Sequence, residues 1–174
     1  DVESASKSKN KKLDQTAIAV VKVSEQGWWV ADIIHGRWDI KKTAKKIFDA
    51  VAHYQPVAVG IEKGALKNAV LPYLTDIMKS SQRFFRVEEL THGNKKKTDR
   101  VVWGLQGRFE HRQITLNKGE WNANFLDELF QFPNALVHDD LVDALAYIDQ
   151  LAKVVYYYDY EEDEFEILDP VSGY

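Results

Sequence analysis

Six acidic residues occupy positions from which a fold could bring carboxylates together. Asp1 and Asp14 flank the entrance to an apolar stretch, and Glu62 ends the apolar run VAVGIE. The remaining three stand near the end of the chain, as Asp139, Asp140 and Asp143. Carboxylates that lie close together repel one another unless a cation neutralises them. Since the chain has no cysteine, this oxygen-rich set favours Mg²⁺ or Mn²⁺.

Each acidic group also has an ordinary structural explanation. An acid at a strand end, such as Glu62, is common on protein surfaces. Asp139 and Asp140 can cap a helix and complement its dipole. Asp143 fits this explanation less well, because it shares a helical face with Asp140 and precedes apolar residues. Together the acids indicate one divalent-metal site.

Basic residues form two short clusters that could contact phosphate groups. Their members are Lys7, Lys9, Lys11 and Lys12, and then Lys95, Lys96, Lys97 and Arg100. The net charge is −4, but residues 159–174 hold seven acids and no Lys or Arg, so the rest of the chain has a formal charge of +3. A basic body is compatible with a nucleic-acid partner, although short basic runs are equally common in solvated loops.

The hydrophobic pattern predicts alternating strands and helices that would position these residues. Apolar, β-branched runs predict strands over residues 16–24, 28–38, 57–62, 84–90 and 113–116. Helical spacing predicts helices over residues 41–54, 65–79, 95–108, 121–129 and 139–155, with Pro72 kinking or breaking the second. A tight turn makes the first two strands antiparallel, while the third can lie parallel to the first. We therefore predict an α/β fold with a central, mixed, five-stranded sheet flanked by helices.

Length and composition favour one soluble globular domain. The chain has 174 residues, of which 45% are hydrophobic and 29% charged, enough for one core and too few for two ordinary domains. We assign residues 1–155 to this domain and residues 156–174 to an acidic, aromatic tail. No apolar run approaches the roughly 18 residues of a membrane span, and the polar N-terminal residues do not form a secretory signal.

Four segments resemble the C-terminal nuclease domain of phage large terminases, within the RNase H and RuvC-like superfamily. They are residues 1–21, the run VGIE at 59–62, residues 97–116, and the run HDDLVDAL at 138–145, which is the most specific. The resemblance spans roughly residues 1 to 150 and implies an RNase H-like fold. It also implies a metal-dependent endonuclease that cuts concatemeric double-stranded DNA with little sequence specificity.

The resemblance assigns a role to each acid. The metal ligands and catalytic residues would be Asp1, Glu62, Asp140 and Asp143. Asp14 and Asp139 would be accessory or alternative ligands. Two Mg²⁺ or Mn²⁺ ions about 4 Å apart would be bound in the DNA complex, as in other two-metal nucleases. The second basic cluster would position the DNA backbone without reading its sequence; it comprises Lys95, Lys96, Lys97 and Arg100.

The resemblance also implies partners beyond this chain. Large terminases of bacteriophages carry an N-terminal ATPase domain and work with a portal and a small terminase subunit, so we expect a viral protein in the host cytoplasm, with no membrane partner. The chain contains no GxxxxGK[ST] phosphate loop, so ATP hydrolysis is not expected of it. Because Asp1 stands at the first position, we expect further residues before it to complete its strand.

Three other classes of protein would also fit these acidic and basic residues. A Holliday-junction resolvase or a transposase core would carry the same acids and act on a different DNA substrate. A non-catalytic DNA-binding or docking module of the same fold would bind DNA in a salt-sensitive way and would not cut it. A structural divalent-cation site in an unrelated α/β protein would raise the melting temperature on metal binding, without any effect of DNA.

Overall fold

The computed structural model describes residues 15–91, 96–134 and 136–155. Within these ranges the strands are β1 (Thr16–Ser24), β2 (Gly27–Gly36), β3 (Val59–Glu62), β4 (Val87–Leu90) and β5 (Ile114–Leu116). The α-helices are α1 (Ile40–Tyr54), α2 (Ala65–Ser81), α3 (Lys97–Val101), α4 (Gly107–Glu110), α5 (Trp121–Gln131) and α6 (Asp140–Ala146). After a turn at Tyr147, helical backbone resumes over residues 148–155. In the described part of the chain, every helix is too short or too polar to cross a membrane.

Strands β1 and β2 form an antiparallel hairpin, which confirms the prediction for this pair. Their pairing runs from Thr16 opposite Gly36 to Ser24 opposite Gly27, with a bulge between Val20 and Val21. Gly27 has a φ of 128°, which side chains rarely tolerate, and an added Cβ would collide with the backbone of Gln113. The glycine therefore allows both the turn and the close approach of β5, which pairs parallel to β2.

The five strands divide into two sheets, so the prediction of one central five-stranded sheet is wrong. One sheet has the order β1-β2-β5, and the other is the parallel pair β3-β4. A tight turn fixes the pairing of β1 with β2, but pairing across the helix that separates β1 from β3 depends on tertiary packing that no local pattern records. Residues of β1 and β3 instead line one cavity of about 280 Å³.

Two apolar clusters hold the helices against the strands. The first joins β2 to α5 and α6 and contains Val30, Ile33, Phe125, Leu141 and Leu145, all at most 1% exposed. The second joins α1 and α2 to β3 and contains Ala44, Ile47, Ile61, Val70 and Leu74. Both clusters are continuous with the elements that carry the acidic residues, so packing fixes the positions of those elements.

Two predicted helices differ from their expected form. Helix α2 runs through Pro72 without dividing, because buried residues on either side of the proline, Val70 and Leu74, anchor it to the second cluster. The helix predicted over residues 95–108 contains a π-helical turn, Val102–Gln106, between α3 and α4. That turn buries Leu105 and leaves Trp103 exposed. Such turns are frequent near functional sites, and this one lies next to the site described below.

Candidate active site

Three of the predicted acids line the cavity that separates β1 from β3. Glu62 is the last residue of β3, and Asp140 and Asp143 lie in the first turn of α6. All three contribute to the wall of the cavity. Leu141, Val142 and Leu145 are fully buried on the inner side of α6, and this packing directs the helical face bearing the two aspartates towards the cavity. Two elements distant in sequence therefore place three carboxylates on the wall of one cavity.

Tyr147 adjoins these acids and is a site residue that no sequence motif predicted. Its side chain is 7% exposed and its hydroxyl is hydrogen-bonded to Glu62. Burial, assisted by this bond, raises the pKa of Tyr147 above its ordinary value, so the hydroxyl stays protonated and donates to the carboxylate. The available sequence signal was spacing, since Tyr147 lies seven residues after Asp140, on the same helical face.

Asp143 is neutralised by two basic residues of α3. Nη2 of Arg100 lies 2.6 Å from Oδ1 of Asp143, and Nζ of Lys97 lies 3.5 Å from Oδ2. The side chains of Arg100 and Asp143 are only 11% and 14% exposed, and the guanidinium also lies 4.3 Å from the centre of the Tyr147 ring. Arg100 thus links the acid at the cavity wall to the tyrosine that binds Glu62.

Asp139 forms a second ion pair with the same helix. Nζ of Lys97 lies 2.6 Å from Oδ1 of Asp139. Burial alone would lower the pKa of Lys97, but the hydrogen bond to Asp139 and the nearby carboxylates outweigh it and raise that pKa. Lys97 is therefore an ammonium ion in direct contact with the acidic group. The side chain of Asp139 forms no capping hydrogen bond with α6, so the predicted capping role of this side chain is wrong.

The negative charge of Asp140 is less well balanced by basic residues than the charges of Asp139 and Asp143 are. Burial raises the pKa of Asp140, and Lys97 and His138 offset this rise only in part. Nδ1 of His138 lies 3.6 Å from Oδ2 of Asp140, and the imidazole is 65% exposed. A carboxylate that is partly buried and incompletely neutralised is the most favourable of this group for receiving an additional cation.

Glu128 supplies the cap that Asp139 does not. It lies on α5 and is 6% exposed, and its Oε2 accepts hydrogen bonds from the backbone N–H groups of Leu141, at 2.8 Å, and Val142, at 3.2 Å. Burial raises the pKa of Glu128, and these two bonds reduce the rise. No motif in the sequence marks this residue; the available signal is an acid on the apolar face of α5, three residues after Phe125.

The four basic residues that the sequence analysis assigned to DNA are placed differently from one another. Lys96 is exposed, while Lys97 and Arg100 contact Asp139 and Asp143. Lys95 lies outside the described residues, as do the acids Asp1 and Asp14, the first basic cluster and the tail at residues 156–174. In the described ranges, both basic residues of α3 therefore face the aspartates at the start of α6.

The donor chemistry fits a hard divalent cation, but the described residues do not complete a ligand set. The carboxylates at the cavity are oxygen donors of the type that Mg²⁺ and Mn²⁺ prefer. Across residues 15–91, 96–134 and 136–155, no three His, Asp or Glu side chains are grouped closely enough to hold a metal ion. Glu62 and Asp140 are thus two suitable donors in one cavity, and further donors are needed to complete a metal site.

Comparison with known proteins identifies one related family. A family model described as a terminase RNaseH-like domain matches residues 4–150. That range contains the three cavity acids, the basic helix α3 and the capping residue Glu128. No curated protein matches the chain.

Proposed function

Because the chain belongs to the terminase RNase H-like domain family, which is of nuclease type, we propose that it is a divalent-metal-dependent endonuclease that cuts double-stranded DNA during viral genome packaging. The observation that carries this proposal is the convergence of Glu62, Asp140 and Asp143 on one cavity. Burial and the neighbouring acids raise the pKa of Asp140, so a cation bound in this cavity would stabilise the charged form of its carboxylate.

We propose Glu62 and Asp140 as metal ligands, with Asp143 as an additional one. Asp1, which precedes the described residues, is proposed as a further ligand, and Asp14 and Asp139 are proposed as accessory residues. Two Mg²⁺ or Mn²⁺ ions held by these residues would supply an activated water and would relieve charge at the phosphate. Tyr147 orients the Glu62 carboxylate through its hydrogen bond. Arg100 fixes the orientation of Asp143 through bonds of 3.2 and 2.6 Å to one oxygen atom.

The basic residues divide into DNA contacts and internal counter-ions. Lys95 and the exposed Lys96 are proposed to contact the DNA backbone, which gives affinity without sequence specificity. Lys97 is 40% exposed, so its ammonium group is positioned to interact with both the carboxylates and a phosphate. Of the three that the structure describes, Arg100 is the least suited to contact DNA, because it is almost buried against Asp143 and Tyr147.

The family also suggests the setting of the reaction. We propose that the substrate is concatemeric DNA and that the chain works with an ATPase domain, a portal and a small terminase subunit in the cytoplasm of a host bacterium. The family description supports the terminase context, and the partners follow from that context alone.

Cleavage assays on several DNA substrates test the proposed function. The protein is incubated with supercoiled plasmid, linear duplex and a four-way junction in Mn²⁺, Mg²⁺ or EDTA. We expect cleavage of plasmid and linear duplex in metal and none in EDTA. Strong preference for the junction would instead support a resolvase. Salt-sensitive DNA binding with every substrate left intact would support the non-catalytic module, and thermal stabilisation by metal without DNA binding would support a structural cation site.

A further inference from the structure

A buried carboxylate holds the end of α6 that carries the proposed metal ligands. Among the described residues, Glu128 is the one charged side chain that is buried. It shares the inner face of α5 with Trp121 and Phe125, in the first apolar cluster. Burying a carboxylate is costly unless hydrogen bonds satisfy it, so the contacts of Glu128 indicate why an acid stands there.

Those contacts are confined to the backbone between the two cavity aspartates. Leu141 and Val142, whose N–H groups donate to Glu128, are the two residues that separate Asp140 from Asp143. N–H groups in the first turn of a helix have no partner within the helix, and the positive end of the helix dipole favours a negative charge beside it. Glu128 therefore caps α6 from a neighbouring helix, at the position where the local residue Asp139 forms no side-chain cap.

This cap stands in an unfavourable electrostatic setting. Asp139 and Asp140 are close enough to raise the pKa of Glu128, so an acid here repels the acids it helps to hold. Because the two hydrogen bonds reach consecutive amides, they restrain the rotation of α6 and its position along the axis, in addition to the apolar packing of its inner side. The side-chain directions of Asp140 and Asp143 relative to Glu62 depend on that rotation.

We propose that Glu128 is a positioning residue for the nuclease reaction, which acts by holding the first turn of α6 so that Asp140 and Asp143 are directed towards Glu62. This inference rests on the proposed function. Glu128 contacts the backbone of α6 and lies behind the cavity wall, so it takes no part in binding DNA.

Steady-state cleavage and Mn²⁺ titration of Glu128 variants test the proposal. Glu128→Ala removes both acceptors, while Glu128→Gln keeps one side-chain oxygen that can accept a hydrogen bond. Loss of an outer-shell partner of a metal site typically costs about 10- to 100-fold in activity or metal affinity. We expect a fall of about that size in kcat for Glu128→Ala, together with a higher Mn²⁺ requirement, an unchanged KM for DNA and substantial recovery in Glu128→Gln.

A stability-matched control separates positioning from a general structural role. Met78→Ala removes a buried side chain near the C-terminal end of α2, the end away from Glu62, and should cost about 2 to 5 kcal/mol of stability. Below its melting temperature, this variant should keep the wild-type kcat and Mn²⁺ dependence. If Glu128→Ala also keeps both while its melting temperature falls, the proposal is overturned.

Two further outcomes are distinguishable. If Glu128→Ala does not fold, Glu128→Asp provides the test, because its shorter side chain keeps the charge and withdraws the acceptor; wild-type kcat in this variant would overturn the proposal. If the wild-type protein neither binds Mn²⁺ nor cleaves DNA, the proposed function fails and the positioning role fails with it. Wild-type activity with unaffected Glu128 variants overturns the positioning role alone.

Discussion

At the scale of single residues, the cavity acids differ in how their charge is balanced. Asp143 is bound by Arg100, and Glu62 is hydrogen-bonded to Tyr147. Asp140 has only partial compensation, and burial raises its pKa. A cation that enters the cavity therefore gains most from Asp140, while Asp143 must share its charge with an arginine that is already present.

Replacement of Arg100 tests this balance. Arg100→Gln leaves the largely buried Asp143 carboxylate without its main partner, so we expect a loss of about 1 to 3 kcal/mol in the free energy of unfolding. Because Asp143 then has more charge to offer, saturating Mn²⁺ should stabilise the variant more than the wild type. Denaturant unfolding in EDTA and in Mn²⁺ measures both effects.

The control for this experiment is the exposed residue Arg83. Arg83→Gln should change the free energy of unfolding by less than about 0.5 kcal/mol, with or without Mn²⁺. Equal stability of Arg100→Gln and the wild type would show that the ion pair with Asp143 does not have the importance assigned to it.

At the scale of elements, ion pairs join the two ends of the basic segment α3–α4 to α6 and to the helical residues 148–155. Arg100 of α3 binds Asp143, and Arg108 of α4 binds Asp149 at 2.9 Å. The Arg108 guanidinium also lies 4.3 Å from the centre of the Trp28 ring. These contacts hold the basic segment beside the acids, across the π-helical turn that lies between α3 and α4.

The pairing of Asp149 predicts a pH-dependent contribution to stability. Burial alone would raise the pKa of Asp149, but Lys153 and Arg108 outweigh it and lower that pKa. An acid with a lowered folded-state pKa stabilises the protein above its ordinary pKa, and this stabilisation disappears as the pH falls through the folded value. Asp149→Asn should therefore cost up to about 1 kcal/mol at pH 7 and progressively less under acidic conditions.

Chemical denaturation at several pH values checks this expectation. The exposed Asp76 provides the control, because Asp76→Asn should give almost the same stability as the wild type throughout. A deficit in Asp149→Asn that stays constant from pH 7 to strongly acidic conditions would mean that the ion pairs are not its cause.

Local patterns predicted some elements and failed at others for a physical reason. The β1-β2 hairpin and helix α1 have short-range signals, a turn and an apolar stripe, and both occur as predicted. Glu62 and Asp140 could be predicted as site residues because Glu62 ends the apolar strand β3 and Asp140 begins the apolar helix α6. The pairing of strands into two sheets depends on contacts between residues far apart in sequence. The ion pairs of Asp143 and the hydrogen bonds from α6 to Glu128 likewise join separate elements, and no local pattern encodes those contacts.

At the scale of the whole molecule, the distribution of charge matters more than its sum. The full chain has a net charge of −4, which by itself opposes DNA binding. Within the described ranges, Lys96, just before α3, is exposed and Lys97 is partly exposed, whereas Arg100 is almost buried and paired with Asp143. DNA affinity should therefore depend on a few exposed lysines.

The salt dependence of DNA binding distinguishes these two kinds of basic residue. Each phosphate contact contributes about 0.9 to the slope of log affinity against log salt concentration. Lys96→Gln should reduce the slope by about that amount, whereas Arg100→Gln should leave it unchanged, because the guanidinium is held by Asp143. Fluorescence anisotropy with a short duplex in EDTA measures the slopes. Equal reductions in both variants would show that Arg100 contacts DNA directly.

The central claim is that Glu62 and Asp140 jointly support metal-dependent DNA cleavage. Its most direct test is the initial rate of plasmid cleavage in Mn²⁺ for the wild type, Glu62→Gln and Asp140→Asn, with the exposed acids Glu25→Gln and Asp76→Asn as matched controls. We predict that both site variants lose more than about 100-fold in rate, beyond the usual effect of losing an outer-shell partner, while both controls cleave like the wild type. Cleavage at the wild-type rate by either folded site variant would contradict the account.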